Sequence, residues 1–74
     1  MDNQHRKIAG YRELTQADID LMNEVKTKGR ELGDLVARLR SEEGLDKRWI
    51  DTGATQLQLG LMALTRGVAR PEFF

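Results

Sequence analysis

The chain has 74 residues, of which 39% are hydrophobic, and its twelve basic side chains are balanced by twelve acidic ones. This length predicts a single domain, residues 1–74, and the balanced charge argues against a protein that coats long nucleic acid. With no cysteine and one histidine, His5, the chain offers no disulfide and no zinc site of its own, so we expect self-association to supply the missing stabilisation.

The first predicted helix begins at Thr15, in a Thr-Gln-Ala-Asp sequence that has the form of a capping box. Asp18 and Asp20 then place negative charge near the positive end of the helix dipole. Apolar residues and one glycine recur at intervals of three and four, a pattern that fits a helix and not a strand. This stripe consists of Ile19, Met22, Val25, Gly29, Leu32, Val36 and Leu39, and Leu21 and Leu35 widen it.

A polar turn at residues 41–45 contains Gly44 and separates this helix from a second one. Asp46 is the predicted N-cap of the second helix, and Pro71 prevents its continuation beyond about Arg70. The short connection makes the helices antiparallel, so the predicted fold is an all-α two-helix hairpin with a short N-terminal segment. The predicted apolar stripe of the second helix is Trp49, Gly53, Leu57, Leu61, Leu64 and Val68, flanked by Ile50, Ala54, Met62 and Ala63.

Both apolar stripes are wider than one hairpin can bury, which predicts a compact homo-oligomer of several hairpins. Trp49 is expected to lie in the core or at a subunit interface. Glycines inside the helical patterns each cost up to about 1 kcal/mol relative to alanine. Close helix–helix contact explains them, and the alternative is backbone surface opened to a ligand. They are Gly29, Gly33, Gly53, Gly60 and Gly67.

Groups suited to catalysis are scarce in this sequence. Ser41 falls in the predicted turn, and His5 lies in a charged N-terminal segment without an evident orienting partner. We therefore predict that the protein is not an enzyme and uses no cofactor or metal. No run of about 18 apolar residues and no N-terminal signal pattern occurs, which predicts a cytoplasmic protein without a membrane span.

Basic residues are expected to gather at the open half of the hairpin. Folding about Gly44 places residue 26 roughly across from residue 62, and the segment that contains Tyr11 leads into the same half. The aromatic ring of a tyrosine in this position is suited to stack on a nucleobase, while the cations meet the phosphates of the same ligand. The alternative is that Tyr11 packs on the hairpin and the cations form surface pairs with Asp18, Asp20 and Glu24 of the first helix. The gathered cations are Lys26, Lys28, Arg30, Arg66 and Arg70.

Three sequence segments together resemble a known family. They are NQHRKIAGYRELT at residues 3–15, IDLMN at residues 19–23 and MALTRGVARP at residues 62–71. The chain resembles the phage anti-CBASS cyclic-nucleotide sponges, whose helical hairpin also occurs in anti-Thoeris sponges. The resemblance implies a homohexamer that sequesters cyclic oligonucleotide messengers without cleaving them, and thereby blocks CBASS signalling.

The resemblance also implies roles for individual residues. Tyr11 looks like the tyrosine that stacks on a base of a cyclic dinucleotide, and Lys26 like the lysine that meets its phosphates. Arg66 looks like the arginine of a separate cyclic-trinucleotide pocket between three subunits. Lys28 belongs to that pocket too, although it stands where the family has a small hydroxyl residue. Arg12, beside the tyrosine, and His5 complete the predicted ligand-binding set.

Two other classes of function fit the same sequence. A helical oligomerisation or adaptor module would dock a host protein on an exposed apolar stripe. A small nucleic-acid-binding protein would use the cationic end and show a steep salt dependence with linear RNA or DNA.

Overall fold

The chain forms two antiparallel helices in a computed structural model that describes residues 13–72. Helix α1 spans Gln16–Ser41 and helix α2 spans Lys47–Ala69. A turn over residues 42–46 joins them, and no strand occurs between residues 13 and 72. The predicted helical hairpin is therefore confirmed. Neither of the two helices combines the length and the apolar content of a membrane span.

Local hydrogen bonds fix where each helix begins, as predicted. The Thr15 hydroxyl oxygen accepts the Asp18 N–H at 3.1 Å, and the Asp18 carboxylate accepts the Thr15 N–H at 3.1 Å. Asp46 Oδ1 accepts two N–H groups in the first turn of α2, at 3.1 and 3.2 Å. Gly44 has a φ of 85°, a left-handed conformation that glycine adopts at little cost in the turn.

The end of α2 has a feature that the sequence did not predict. Arg70 is the C-cap, with φ 48° and ψ 58°, and its N–H donates to the Arg66 carbonyl at 2.8 Å. Within residues 13–72, Arg70 is the only non-glycine residue with a positive φ. That conformation costs a residue with a Cβ atom about 1–2 kcal/mol, and glycine is the usual residue at a left-handed helix end.

The side of α1 that faces α2 follows the predicted stripe closely. Its members are half-buried and recur at three- and four-residue intervals from the buried Asp18 onwards. Ile19 is the exception, because its side chain is 40% exposed and lies beside the seam. The half-buried residues after Asp18 are Met22, Val25, Gly29, Leu32, Val36 and Leu39.

The predicted stripe of α2 is partly wrong. Trp49 and Leu64 are 62% and 59% exposed, and Gly53 is exposed as well, so these three lie away from α1. Apolar residues occupy more than one face of α2, and a shift of one residue turns a helix by about 100°. Spacing alone therefore did not decide which face meets α1. The half-buried residues are Ile50, Ala54, Leu61, Thr65, Val68 and Ala69.

The glycines divide into one close contact and several open positions. A Cβ atom on Gly29 would lie 3.3 Å from Leu61 Cδ1, so the predicted close helix–helix contact is confirmed there. A Cβ atom on any of the other helical glycines would meet nothing within 4 Å; these are Gly33, Gly53, Gly60 and Gly67.

The hairpin buries little apolar surface. Within residues 13–72 no hydrophobic residue is buried, and the one buried residue is Asp18, with 8% of its surface exposed.

Candidate ligand-binding groove

A groove of about 830 Å³ runs between α1 and α2 at the open half of the hairpin. Its volume falls within the range of small-molecule sites. One cation from each helix lines it, together with apolar and small polar side chains. From α1 and the residue before its N-cap come Leu14, Ile19, Met22, Asn23, Val25, Lys26 and Gly29. From α2 and the residue after its C-cap come Leu61, Met62, Thr65, Arg66 and Pro71.

Lys26 and Arg66 supply the positive charge of this groove from its two opposite walls. Lys26 is exposed, and within residues 13–72 its ammonium group has no ion-pair partner. Ammonium and guanidinium groups form short, charge-assisted hydrogen bonds with phosphate oxygens. The placement of both cations on one groove agrees with the prediction that basic residues gather at the open half.

The walls between these cations are mainly apolar. Met62 is 66% exposed and Ile19 is 40% exposed, so both present hydrophobic surface to anything that enters the groove. The binding of flat heteroaromatic rings is stabilised when they cover such apolar surface and remove it from water. Asn23 adds an amide that both donates and accepts hydrogen bonds, while Thr65 donates its hydroxyl hydrogen to the Leu61 carbonyl at 3.0 Å.

Lys28 lies outside this groove. Residues two apart on a helix point about 200° from one another, so Lys26 and Lys28 face opposite sides of α1. The Lys28 Nζ atom lies 3.7 Å from the Glu31 carboxylate, and both side chains are more than 60% exposed. A single chain therefore does not bring Lys28 and Arg66 into a common groove, and the three-subunit pocket remains a prediction.

One pairing of a cation with an acidic residue, considered above as the alternative to a binding site, does occur. Arg70 Nη2 donates to both carboxylate oxygens of Asp18, at 3.1 and 3.0 Å. Arg70 is thus engaged with the first turn of α1 and does not line the groove. Of the five gathered cations, Lys26 and Arg66 line the groove and Arg70 forms this ion pair, while Lys28 and Arg30 do neither.

The remaining predicted site residues, Tyr11, Arg12 and His5, lie outside the described residues.

The groove also contains several residues that the sequence analysis did not predict as site residues. Asn23 precedes Lys26 by one helical turn, so a helical projection centred on Lys26 would have identified it. Thr65 shares a helix face with Leu61, one turn earlier, and not with the adjacent Arg66.

Comparisons with known proteins agree on one family. The model of the Acb2/Tad1 hairpin domain matches residues 3–69. Anti-CBASS protein 2 of Pseudomonas phage JBD67 is 41% identical over 106 positions, which cover 97% of this chain and 98% of that protein. The alignment is longer than this chain, so the phage protein contains residues that have no counterpart here. On both matches, the chain belongs to the Acb2/Tad1 hairpin domain family.

Proposed function

We propose that this protein is an anti-CBASS protein that captures cyclic oligonucleotide messengers and holds them without cleaving them. The observation that carries the proposal is the groove, which has Lys26 on one wall and Arg66 on the other, with apolar surface between them. The name of the similar phage protein, Anti-CBASS protein 2, supports the biological role. Capture lowers the free messenger concentration below the level that activates the host effector.

The chemistry of the groove favours a compact cyclic dinucleotide. Such a ligand carries two phosphate charges close together and two flat bases, which match the Lys26 ammonium group and the apolar walls of the groove. A linear nucleic acid would instead need a long track of cations, whereas the chain has zero net charge. Cyclic trinucleotides are a second ligand class of the proposal, bound where Lys28 and Arg66 of different subunits meet.

Assembly is the second part of the proposal. One lateral face of α2 exposes large apolar side chains beside glycines at seven-residue intervals, Gly53, Gly60 and Gly67. Together with Leu32 of α1, this face forms a second, apolar groove whose lining includes Leu57 and Leu64. We assign it to a second copy of the chain, because open glycines let another helix approach closely and a lone hairpin buries no apolar residue of its described part. A homohexamer is the assembly we propose.

Native mass spectrometry with a panel of cyclic di- and trinucleotides tests the proposal directly. We expect a hexamer that retains cyclic ligands, with the number of ligands per assembly set by the number of pockets. Ligand released by heat denaturation should be chemically unchanged in liquid chromatography. Shortened or linear products would contradict capture without cleavage. A stable oligomer that ignores every cyclic nucleotide and retains a host protein would instead support an adaptor.

Tyr11 is predicted to stack on a base of the bound dinucleotide. Replacing it with alanine should lower the affinity for a cyclic dinucleotide by about 10- to 100-fold, because base–aromatic stacking contributes about 1–3 kcal/mol per base. Tyr11→Phe keeps the ring and is the matched control, which should bind within a few-fold of the wild type. Calorimetry measures the affinities, and size-exclusion chromatography verifies the assembly. Unchanged affinity of Tyr11→Ala would remove Tyr11 from the site.

A further inference from the structure

Exposed side chains form a row along α1 on the side opposite Lys26. Leu21 and Leu35 are 49% and 39% exposed, and the exposed Lys28 lies midway between them in the sequence. Residues seven apart differ by about 20° around a helix, so these three side chains form one row, which we call the leucine row. Leu32 lies three residues before Leu35 and lines the apolar groove beside the glycines of α2, so the leucine row borders that groove.

The glycines of α2 form a matching row at the same interval along the chain. The Asp18–Arg70 ion pair sets the register of the two helices at the open end of the hairpin. Counted from this pair, Leu21 lies level with Gly67 to within about 5 Å, one helical turn, and the common interval keeps the two rows in step along the helices. A Cβ atom on these glycines would meet nothing within 4 Å, so each leaves a depression on the surface of α2. The glycine row consists of Gly53, Gly60 and Gly67.

The face that carries both rows is complementary to itself. Its leucines project from α1, and its glycines leave space on α2. When two copies lie face to face with their long axes in the same direction, α1 of each copy lies over α2 of the other. Leu21 then enters the space at the partner's Gly67, and Leu35 enters the space at the partner's Gly53. Both contacts occur twice, because the pairing has two-fold symmetry.

Charged residues favour this direction over the opposite one. In the opposite direction α1 would lie over the partner's α1, which brings Lys28 and its neighbours Glu24 and Glu31 against residues of like charge. Like charges that face each other across a contact are destabilising. In the same direction α1 lies over the partner's α2, which has no acidic residue between residues 52 and 69. The stem of Lys28 then covers the partner's Gly60, while its ammonium group stays near its own Glu31, 3.7 Å away.

The paired face is large enough for a stable contact. Two helices side by side, each about 10 Å wide and about 35 Å long, present roughly 700 Å², which is comparable to the about 800 Å² per partner that a stable interface buries. Trp49, Leu57 and Leu64 are exposed beside the glycine row and enlarge its apolar part. A hairpin that buries none of its hydrophobic residues between residues 13 and 72 thus gains a core from one partner copy.

We propose that two copies pair through this face, with their long axes in the same direction, into a four-helix unit. The leucine row of each α1 packs on the glycine row of the partner's α2. The proposal rests on the assignment of the glycine face to a second copy, and it adds the direction and the register of the pairing. Larger assemblies are built from such pairs. The pairing also places Lys28 at the seam between two copies, where a ligand shared by copies would meet it.

Disulfide crosslinking tests the pairing residue by residue, because the chain has no cysteine. The double variant Leu21→Cys/Gly67→Cys should form a covalent dimer under mild oxidation, and Leu35→Cys/Gly53→Cys should do so at the other end of the face. Cysteines form a disulfide only when their Cβ atoms lie about 4 Å apart. Lys28→Cys is the matched control, since its single cysteine faces a glycine of the partner and should stay reduced.

Intact-mass spectrometry and non-reducing electrophoresis measure the crosslinked fraction, and circular dichroism verifies that each variant keeps its helices. We expect most of the chain in the covalent dimer for the double variants and less than about a tenth of it for Lys28→Cys. If one double variant does not fold, the other decides. Covalent dimers of Lys28→Cys would show the opposite direction and overturn the proposal, and so would double variants that assemble without crosslinking.

The pairing and the proposed function can fail separately. If an assembly without these crosslinks retains cyclic nucleotides, the proposed function stands and the pairing is wrong. If both double variants crosslink but the wild type retains no cyclic nucleotide, the pairing stands and the proposed function is wrong. A wild-type protein that stays monomeric in native mass spectrometry would overturn both the pairing and the proposed assembly.

Discussion

Replacing Lys26 with glutamate should lower the affinity for a cyclic dinucleotide by about 100-fold or more. A hydrogen bond to a charged group contributes about 1.5–3 kcal/mol, and each 1.4 kcal/mol is tenfold in affinity. The new carboxylate also repels the phosphates across the groove. Calorimetry at two salt concentrations is the measurement, because the affinity of the wild type should fall more steeply with salt than that of the variant.

Lys47→Glu is the matched control for this experiment. It makes the same change of charge at the first residue of α2, at the turn end of the hairpin, where negative charge is compatible with the helix dipole. We expect its affinity to stay within about twofold of the wild type, since a distant exposed charge is largely screened. Equal losses in both variants would attribute binding to overall charge. A disrupted oligomer in Lys26→Glu would indicate that Lys26 is structural.

Replacing Gly60 with leucine should have opposite effects on an isolated hairpin and on an assembly. A side chain at Gly60 meets nothing within 4 Å in the chain, and leucine is the better helix former by about 0.7 kcal/mol. An isolated hairpin would therefore gain stability. In an assembly with a second copy packed on this face, the added side chain overpacks the contact at about 1–3 kcal/mol for each subunit. We expect a lower Tm and dissociation of the oligomer, measured by scanning calorimetry and sedimentation.

Gly33→Leu provides the control. A Cβ atom at Gly33 also meets nothing within 4 Å, but Gly33 lies on α1, beside a different groove that Val36 and Ala54 line. It should keep the oligomer and raise Tm by a few degrees. A rise in Tm for Gly60→Leu, with the oligomer retained, would show that the glycine face of α2 is not a subunit contact.

The beginnings of both helices and the turn were predictable because their causes are local. Thr15 and Asp46 carry the side-chain oxygens that cap a helix. Gly44 has no Cβ atom, so it adopts the left-handed conformation of the turn at little cost in free energy. The neighbours of these residues in sequence are also their partners in space. A few consecutive residues are therefore sufficient to predict where each helix begins and where the chain turns.

The orientation of α2 could not be obtained in the same way. Apolar residues such as Trp49 and Leu64 form a second face beside the one that meets α1, and both faces have helical spacing. Packing against α1 decides between them, and its contacts, such as that of Leu61 with Gly29, join residues on different helices.

The sequence predicted the basic residues of the candidate site but did not predict the apolar residues that form the walls of the groove. The antiparallel register predicts that Lys26 and Arg66 lie in the same half of the hairpin, whereas the family resemblance implies a separate pocket for each. The position of Pro71 depends on a left-handed arginine at residue 70, for which sequence preferences favour glycine. Sequence reasoning considered the pairing of cations with Asp18 only as a surface alternative. It missed the connection between the two ends of the hairpin.

The absence of a buried hydrophobic residue between residues 13 and 72 has a consequence for how the folded fraction depends on protein concentration. If neighbouring copies supply the core, folding becomes a reaction of high molecular order, and each tenfold dilution removes about 1 kcal/mol of stability per subunit. Chains made early, when few copies are present, would stay unfolded and exposed to proteases. Capture capacity would then appear abruptly once synthesis passes a threshold, and not in proportion to the amount of chain produced.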